Sequence, residues 1–347
     1  MAISLLWRTD VHLSDHTPRS RKDDWTATVL GKLAQIGELA GKLKVDGVLD
    51  GGDFFDLKSP TRNSHALIQR VLSVHRGYPC PVYGNVGNHD CVYGDYSFLP
   101  QQPLGVLYES GVFRRCYDEH EALFVGKPEK VSDQILDIVG SDSKWVGVAE
   151  APVTVRVVGV PYHGTKYDLD RFTRIKKGSE DYLVVIAHVL ASPTGGTLFE
   201  SEDVLKYADL DAFDGDVFCF GHWHKDQGIT QTPGGKTIVN VGSLTRGSLS
   251  QDDLDRVPSA VLLKFDRAEI SAEKIPLVYT PSSEVFSIEA RDITKMREGM
   301  IEEFVGNIKT ILTAKSNHSI RDAIRDLPNV PDEVKEQALL YVEKAGG

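Results

Sequence analysis

Paired cysteines are missing from this chain. Cys80, Cys91, Cys116 and Cys219 show no CxxC or other regular spacing. That argues against a disulfide framework or a thiolate metal site, and for reduced thiols in a cytoplasmic protein. Also missing is any run of about 18 apolar residues, so no membrane span is expected. The opening stretch Met1–Asp10 has no basic start and no small-residue cleavage site, so it reads as a strand rather than an export signal. Basic charge is short: 39 Lys and Arg stand against 50 Asp and Glu, a formal net charge of −11. This balance counts against a free-standing nucleic-acid binder, because phosphate contacts need cations. A nuclease is still compatible with it, since divalent ions would bring positive charge to the scissile phosphate. The basic stretches 19–22 and 174–177 read as solvated loops. No internal repeat or low-complexity tract occurs.

Present instead is an alternation. The chain has 347 residues, 41% of them hydrophobic and 26% charged, which suits one large domain with a small one. Residues 3–9 are apolar and end at Asp10. The spacing of Leu30, Leu33, Ile36, Leu39, Ala40 and Leu43 predicts a helix over 24–43. A strand follows at 45–49, a helix at 64–76 and a strand at 81–86. Strand, polar motif and helix repeat in that order, the pattern of α/β layers with sites at strand C-termini. Later runs at 153–160, 183–187, 217–220, 237–241 and 257–265 are β-rich. Thr232–Lys236 is a turn signal between two strands. Two sheets between outer helices is the expected architecture. Residues 91–150 carry no clear pattern. A domain over 1–281 is expected, followed by a helical region over 282–347 with helices at 292–312 and 332–344.

Five segments carry the chemistry: Asp10-Val11-His12, Gly52-Asp53, Gly87-Asn88-His89-Asp90, His188 and Gly221-His222-Trp223-His224. They supply carboxylate, imidazole and amide oxygen without sulfur, a set that suits Mn²⁺ or Fe²⁺, with Zn²⁺ as an alternative. Two such ions can clamp a phosphate and acidify water. Asp53, after two glycines at a strand end, is the expected bridge. Asp10, His12 and His224 complete one metal's set; Asn88, His188 and His222 complete the other's. His222 and His224, two apart, can point into one cleft. His89 is left as general acid, with Asp56 expected to accept its other ring N–H and hold the tautomer. His163 stands either at a substrate groove or as a surface histidine. Arg246 stands either against phosphate or as a loop cap. The acidic run Asp209, Asp211, Asp214 and Asp216 lacks the spacing of a calcium loop and reads as solvated.

These motifs resemble those of the calcineurin-like metallophosphoesterases, D-x-H, G-D, G-N-H-[DE], H and G-H-x-H, over residues 3–265. The resemblance implies a four-layered α/β/β/α sandwich, a binuclear centre and the ligand roles above. Asp10–Ser14, Gly51–Asp56, Asp90 and Asn240–Gly247 are most similar to the SbcD-type DNA repair nuclease subunits, phage-encoded ones included. That implies a Mn²⁺-dependent exo- and endonuclease acting on DNA ends in the cell, or host-cell, cytoplasm. It further implies a homodimer and an SMC-like coiled-coil ATPase partner docked on C-terminal helices. The acidic net charge and the short tail depart from that pattern. Protein phosphatases of the superfamily fit less well, because Leu57-Lys58 follows Asp56 and Asp90 follows His89. Two further expectations stand beside it: a phosphodiesterase for small esters such as cyclic nucleotides, and a non-catalytic scaffold for an ATPase.

Overall fold

The computed structural model describes residues 2–92, 95–126, 152–196, 202–287, 320–327, 335–336 and 338–339. In chain order the first part runs β1 (Ile3–Arg8), α1 (Trp25–Leu43), β2 (Gly47–Asp50), α2 (His65–Arg76), β3 (Val82–Gly84), α3 (Pro103–Glu109), β4 (Phe113–Arg115) and β5 (Ala122–Val125). Next come β6 (Thr154–Val160), α4 (Asp170–Thr173), β7 (Tyr182–His188), β8 (Ala191–Ser192), β9 (Leu205–Lys206) and β10 (Val217–Gly221). The last stretch holds β11 (Gly228–Gln231), β12 (Thr237–Asn240), α5 (Gln251–Asp255), β13 (Ser259–Phe265), β14 (Ile270–Pro276) and α6 (Ser282–Val285).

Two six-stranded sheets form, ordered β14-β13-β1-β2-β3-β4 and β11-β12-β10-β7-β6-β5. The inner neighbours β1 to β4 run parallel, as do β12, β10, β7 and β6, while β13, β14, β11 and β5 pair antiparallel at the margins. Side-chain alternation along the strands builds the layers. Leu6, Val48 and Val82 face α1 and α2, meeting Val29, Leu33, Leu67 and Val71. Leu5, Trp7 and Leu49 face the other way and meet Val157, Val184, Ile186 and Cys219 of the second sheet. That sheet's outer face, with Val185, Phe218 and Phe220, is covered by Phe172 of α4 and by Tyr207 and Leu210. The fold is therefore an α/β sandwich of helices, sheet, sheet and helices.

Local sequence explains the ends that matter. Asp24 caps α1, its side chain accepting from Ala27 N at 2.9 Å, and Lys44 closes the helix in the left-handed region at φ 52°. Arg8, fully buried at the end of β1, pairs with Asp50 at the end of β2 at 2.8 Å and with the Tyr78 hydroxyl at 2.9 Å. A buried guanidinium is tolerated only when matched in this way. The clamp sets β1 and β2 level, so that Asp10 and Asp53 leave the sheet side by side.

The turn at Thr232–Lys236 does join a hairpin, but its first strand is β11. β11 is a half-exposed margin strand with no apolar alternation, so the sequence offers no signal for it. β4, β5, β14 and α3 likewise carry no clear pattern in the sequence. The chain divides into compact units Met1–Phe286 and Ser287–Gly347, against the expected boundary after residue 281. The second unit holds a helix over Ile320–Arg325. The helix expected over 292–312 lies outside the described residues, as does most of that over 332–344. Among the described residues no helix is long and apolar enough to cross a membrane.

Candidate metal centre

Four strands end at this site. The loop after β1 runs beside the loop after β2, with Asp10 N donating to Gly52 O, His12 N to Asp53 O and Leu13 N to Phe54 O at 2.9–3.0 Å. From the second sheet, His188 ends β7 and lies in register with Gly221, which ends β10. Asp10, His12, Asp53 and His222 all hold left-handed backbone, at φ 52°, 48°, 50° and 85°. For non-glycine residues this costs about 1–3 kcal/mol each, and such strain gathers where function requires it.

The donors converge. His12 Nε2 lies 3.7 Å from Asp53 Oδ2, 3.9 Å from Asp10 Oδ1 and 2.9 Å from His224 Nε2. His224 Nε2 lies 3.6 Å from Asp10 Oδ1. On the other side His188 Nε2 lies 3.3 Å from the same Asp53 Oδ2 and 3.2 Å from Asn88 Oδ1. Asp53 Oδ2 thus faces both groups, the position a bridging ligand needs. Its other oxygen, Oδ1, accepts from His89 N at 2.7 Å. A ring nitrogen of His222 joins Asp53 and His188, all donor atoms lying within 4.8 Å of one another. The structure therefore brings together all seven residues read as ligands.

His188 Nδ1 donates to Gly51 O at 2.9 Å, so Nε2 is the nitrogen that faces the two oxygens. Lone pairs facing carboxylate and amide oxygen repel unless a positive charge stands between them. Burial alone would depress the His188 pKa, but Asp53 and Asp10 outweigh it and push it up to about 9. Burial likewise opposes ionisation of Asp53, yet His188, His12 and His89 hold its carboxyl well below the usual range. The pocket is thus built for concentrated positive charge, and the donor set fits divalent ions.

Supporting groups hold these ligands. Asp90 is buried and is no ligand; its carboxylate accepts from Gly87, Phe54 and Phe55 N at 3.0, 3.0 and 3.2 Å. It thereby ties the Asn88 loop to the Asp53 loop, while burial and Asp53 push its pKa up to about 7. Asp10 accepts from Thr9 Oγ1 at 2.7 Å and from His222 N at 3.1 Å.

His89 Nδ1 does donate to Asp56, at 2.7 Å, but to its backbone oxygen. The Asp56 carboxylate, expected as the partner of His89, instead lies 3.4 Å from His12 Nδ1. The tautomer of His89 is therefore set by a carbonyl, and the carboxylate orients His12. A cavity of about 380 Å³ opens over His12, Asp56, His89 and His224. Arg246 lies elsewhere: it is 3% exposed and donates to Ser282 Oγ and Thr280 O at 2.8 and 2.7 Å. His163 has both ring nitrogens engaged in its own turn, with Pro161 O at 2.9 Å and Asp168 N at 3.1 Å. Neither lines the cavity over the metal ligands.

Glu202 is the residue that sequence reasoning misses. Its Oε1 lies 2.9 Å from His222 Nε2, leaving Nδ1 as the ring nitrogen open to an ion. Glu202 stands 20 residues before His222 in a stretch without periodicity, so no local spacing marks it.

Residues 5–226 match the family model for calcineurin-like phosphoesterases. A curated relative, the DNA double-strand break repair protein Mre11 of Methanosarcina acetivorans, is 24% identical over 277 residues, or 79% of this chain. The match spans 39% of that relative's length. Among solved structures, a dimetal phosphatase from Danio rerio is 11% identical, covers 78% of this chain and 98% of its own, and gives a TM-score of 0.44. A protein of Thermus thermophilus is 11% identical, with coverage of 79% and 99% and a TM-score of 0.42.

Proposed function

The chain belongs to the calcineurin-like phosphoesterases, and on that premise we propose that it is a Mn²⁺-dependent phosphodiesterase that cleaves DNA at or near ends. The observation that carries this reading is the double set of donors around Asp53 Oδ2, with His12 Nε2 at 3.7 Å and His188 Nε2 at 3.3 Å, beside a histidine left free of it. Similarity to a DNA double-strand break repair protein supports DNA as the substrate.

Asp10, His12 and His224 would hold one ion and Asn88, His188 and His222 the other, with Asp53 shared. Bound divalent ions neutralise phosphate charge and acidify water for in-line attack. The chain's own residues do the rest. His89 donates Nδ1–H to the Asp56 carbonyl, so Nε2 is the nitrogen that carries the exchangeable proton to the departing sugar oxygen. Asp56 and Gly51 keep His12 and His188 turned toward the donors. In the same reading the protein acts in the cytoplasm as a homodimer and takes an SMC-like ATPase partner on residues 282–347. That partner would supply the DNA affinity that a net charge of −11 withholds.

The test is incubation with Mn²⁺ and end-labelled linear DNA, with bis-p-nitrophenyl phosphate in parallel. Metal-dependent shortening of the DNA, lost in Asp53→Ala, is the expected result. Turnover of the small diester with DNA left intact, even with the ATPase added, would replace this reading with a small-ester phosphodiesterase.

A further inference from the structure

Behind the metal centre lies a second cavity, of about 180 Å³, whose lining includes Arg21, Trp25, Lys32, Thr245, Arg246 and Tyr279. Trp25 and Thr245 border both cavities and stand between them. Lys32 projects from the middle of α1 and is 5% exposed. Its ammonium has no hydrogen bond or ion pair among the described residues. Arg246 is 3% exposed, and its Nε is buried without a partner. Two cationic side chains therefore line one small cavity with donors unused.

The anions close by are already committed. Asp23 takes both oxygens to Arg21, at 2.8 and 2.6 Å. Asp252 pairs with Arg256 at 3.0 Å, and Asp253 pairs with it too. Arg246 stacks on Tyr279 and Phe286, with its guanidinium carbon 4.8 and 5.8 Å from the ring centroids. That stacking fixes the plane of the guanidinium without neutralising it. Burial of unpaired cationic donors is costly, and native proteins satisfy such donors with a partner. Among the described residues no protein group supplies one, which leaves solvent or a ligand.

We propose that this cavity binds a small tetrahedral oxyanion of the phosphate class, held by the Lys32 ammonium and the Arg246 guanidinium. Size sets the class: sites for larger organic ligands run from roughly 300 to 1,000 Å³, and this cavity is smaller. The bound ion reaches the metal centre through two neighbours. Trp25 Nε1 donates to His12 O at 3.3 Å, and Thr245 Oγ1 donates to Val11 O at 3.1 Å. An oxyanion behind these residues braces the loop that carries Asp10 and His12.

The test uses the full chain loaded with Mn²⁺, with sulfate as the probe because it leaves Mn²⁺ in solution. Thermal unfolding is followed against sulfate, with chloride at equal ionic strength as the control, for the native chain, Lys32→Met and Lys32→Arg. Sulfate at the metal centre and general salt exclusion act on all three alike, so the difference between them isolates the cavity. The expected result is a saturable rise in Tm for the native chain and Lys32→Arg that exceeds the rise for Lys32→Met. Equal rises in all three overturn the proposal. Independently of any variant, crystals grown with selenate should give an anomalous peak between Lys32 and Arg246. A cavity with no such peak at saturating selenate also overturns it.

Discussion

His222 Nε2 and Glu202 Oε1 lie 2.9 Å apart, and the same carboxylate oxygen accepts from the Tyr167 hydroxyl at 2.9 Å. Tyr167 in turn accepts from Leu190 N at 2.8 Å, so the chain of bonds is anchored in backbone. A carboxylate behind a histidine fixes the ring and raises its basicity toward an ion, and loss of such partners costs about 10–100-fold in metal affinity. Glu202→Ala should weaken Mn²⁺ binding by that order, read by calorimetric titration. An unchanged isotherm would leave Glu202 as a tie between loops and nothing more.

Asp53 is the one ligand facing both donor groups. Asp53→Ala should release both ions, where loss of His224 should release one. Metal content of the purified variants, measured by plasma mass spectrometry, decides this. Two ions per chain in Asp53→Ala would show that its carboxylate does not bridge.

His89 and Asp56 can be separated. His89→Ala should keep its metals and lose about 10²–10⁴-fold in kcat, the usual worth of a general acid. Asp56→Ala keeps the carbonyl that holds His89 but strips His12 of its carboxylate neighbour. It should therefore lower metal affinity and leave the pH profile of kcat in place. A shifted acid limb in that variant would return the tautomer-holding role to the side chain.

Lys32 gives a pH signature. Desolvation first, then the charges of Arg246, Arg21 and Arg256, lower its pKa to about 8, with Asp23 pulling the other way. The unfolded chain, with an ordinary lysine near pKa 10.4, then binds more protons between about pH 8 and 10.4, so folded stability rises with pH across that window. Below about pH 8 the penalty is present in full. In chloride buffer at pH 7, Lys32→Met should be more stable than the native chain by an amount on the order of 2–3 kcal/mol, shrinking toward pH 10. Urea unfolding at both pH values would show it, and a difference that does not change with pH counts against it.

Legibility follows physical locality. The ligands are readable because each sits within a residue or two of a strand end, where apolar run and polar motif adjoin in sequence. α1 is readable because its apolar stripe and the Asp24 cap are local. Glu202 and the Asp56 carbonyl are not, since a second partner is chosen by three-dimensional proximity and leaves no spacing. Margin strands such as β11 bury too little to alternate. From sequence, Arg246 stands either against phosphate or as a loop cap. Packing places it behind Trp25 instead, because its hydrogen-bond and ring partners come from Tyr279 to Phe286.

His12 and His224 meet although 212 residues separate them. None of the four cysteines is paired, so no covalent cross-link spans that interval. An ion held by Asp10, His12 and His224 would close a loop of that length, and closure entropy grows only with the logarithm of loop size. The cation would then do for this chain what a disulfide does for a secreted one: staple its beginning to a distant strand end and make the two sheets unfold together. Unlike a disulfide, that staple can be removed by a chelator and restored by dialysis.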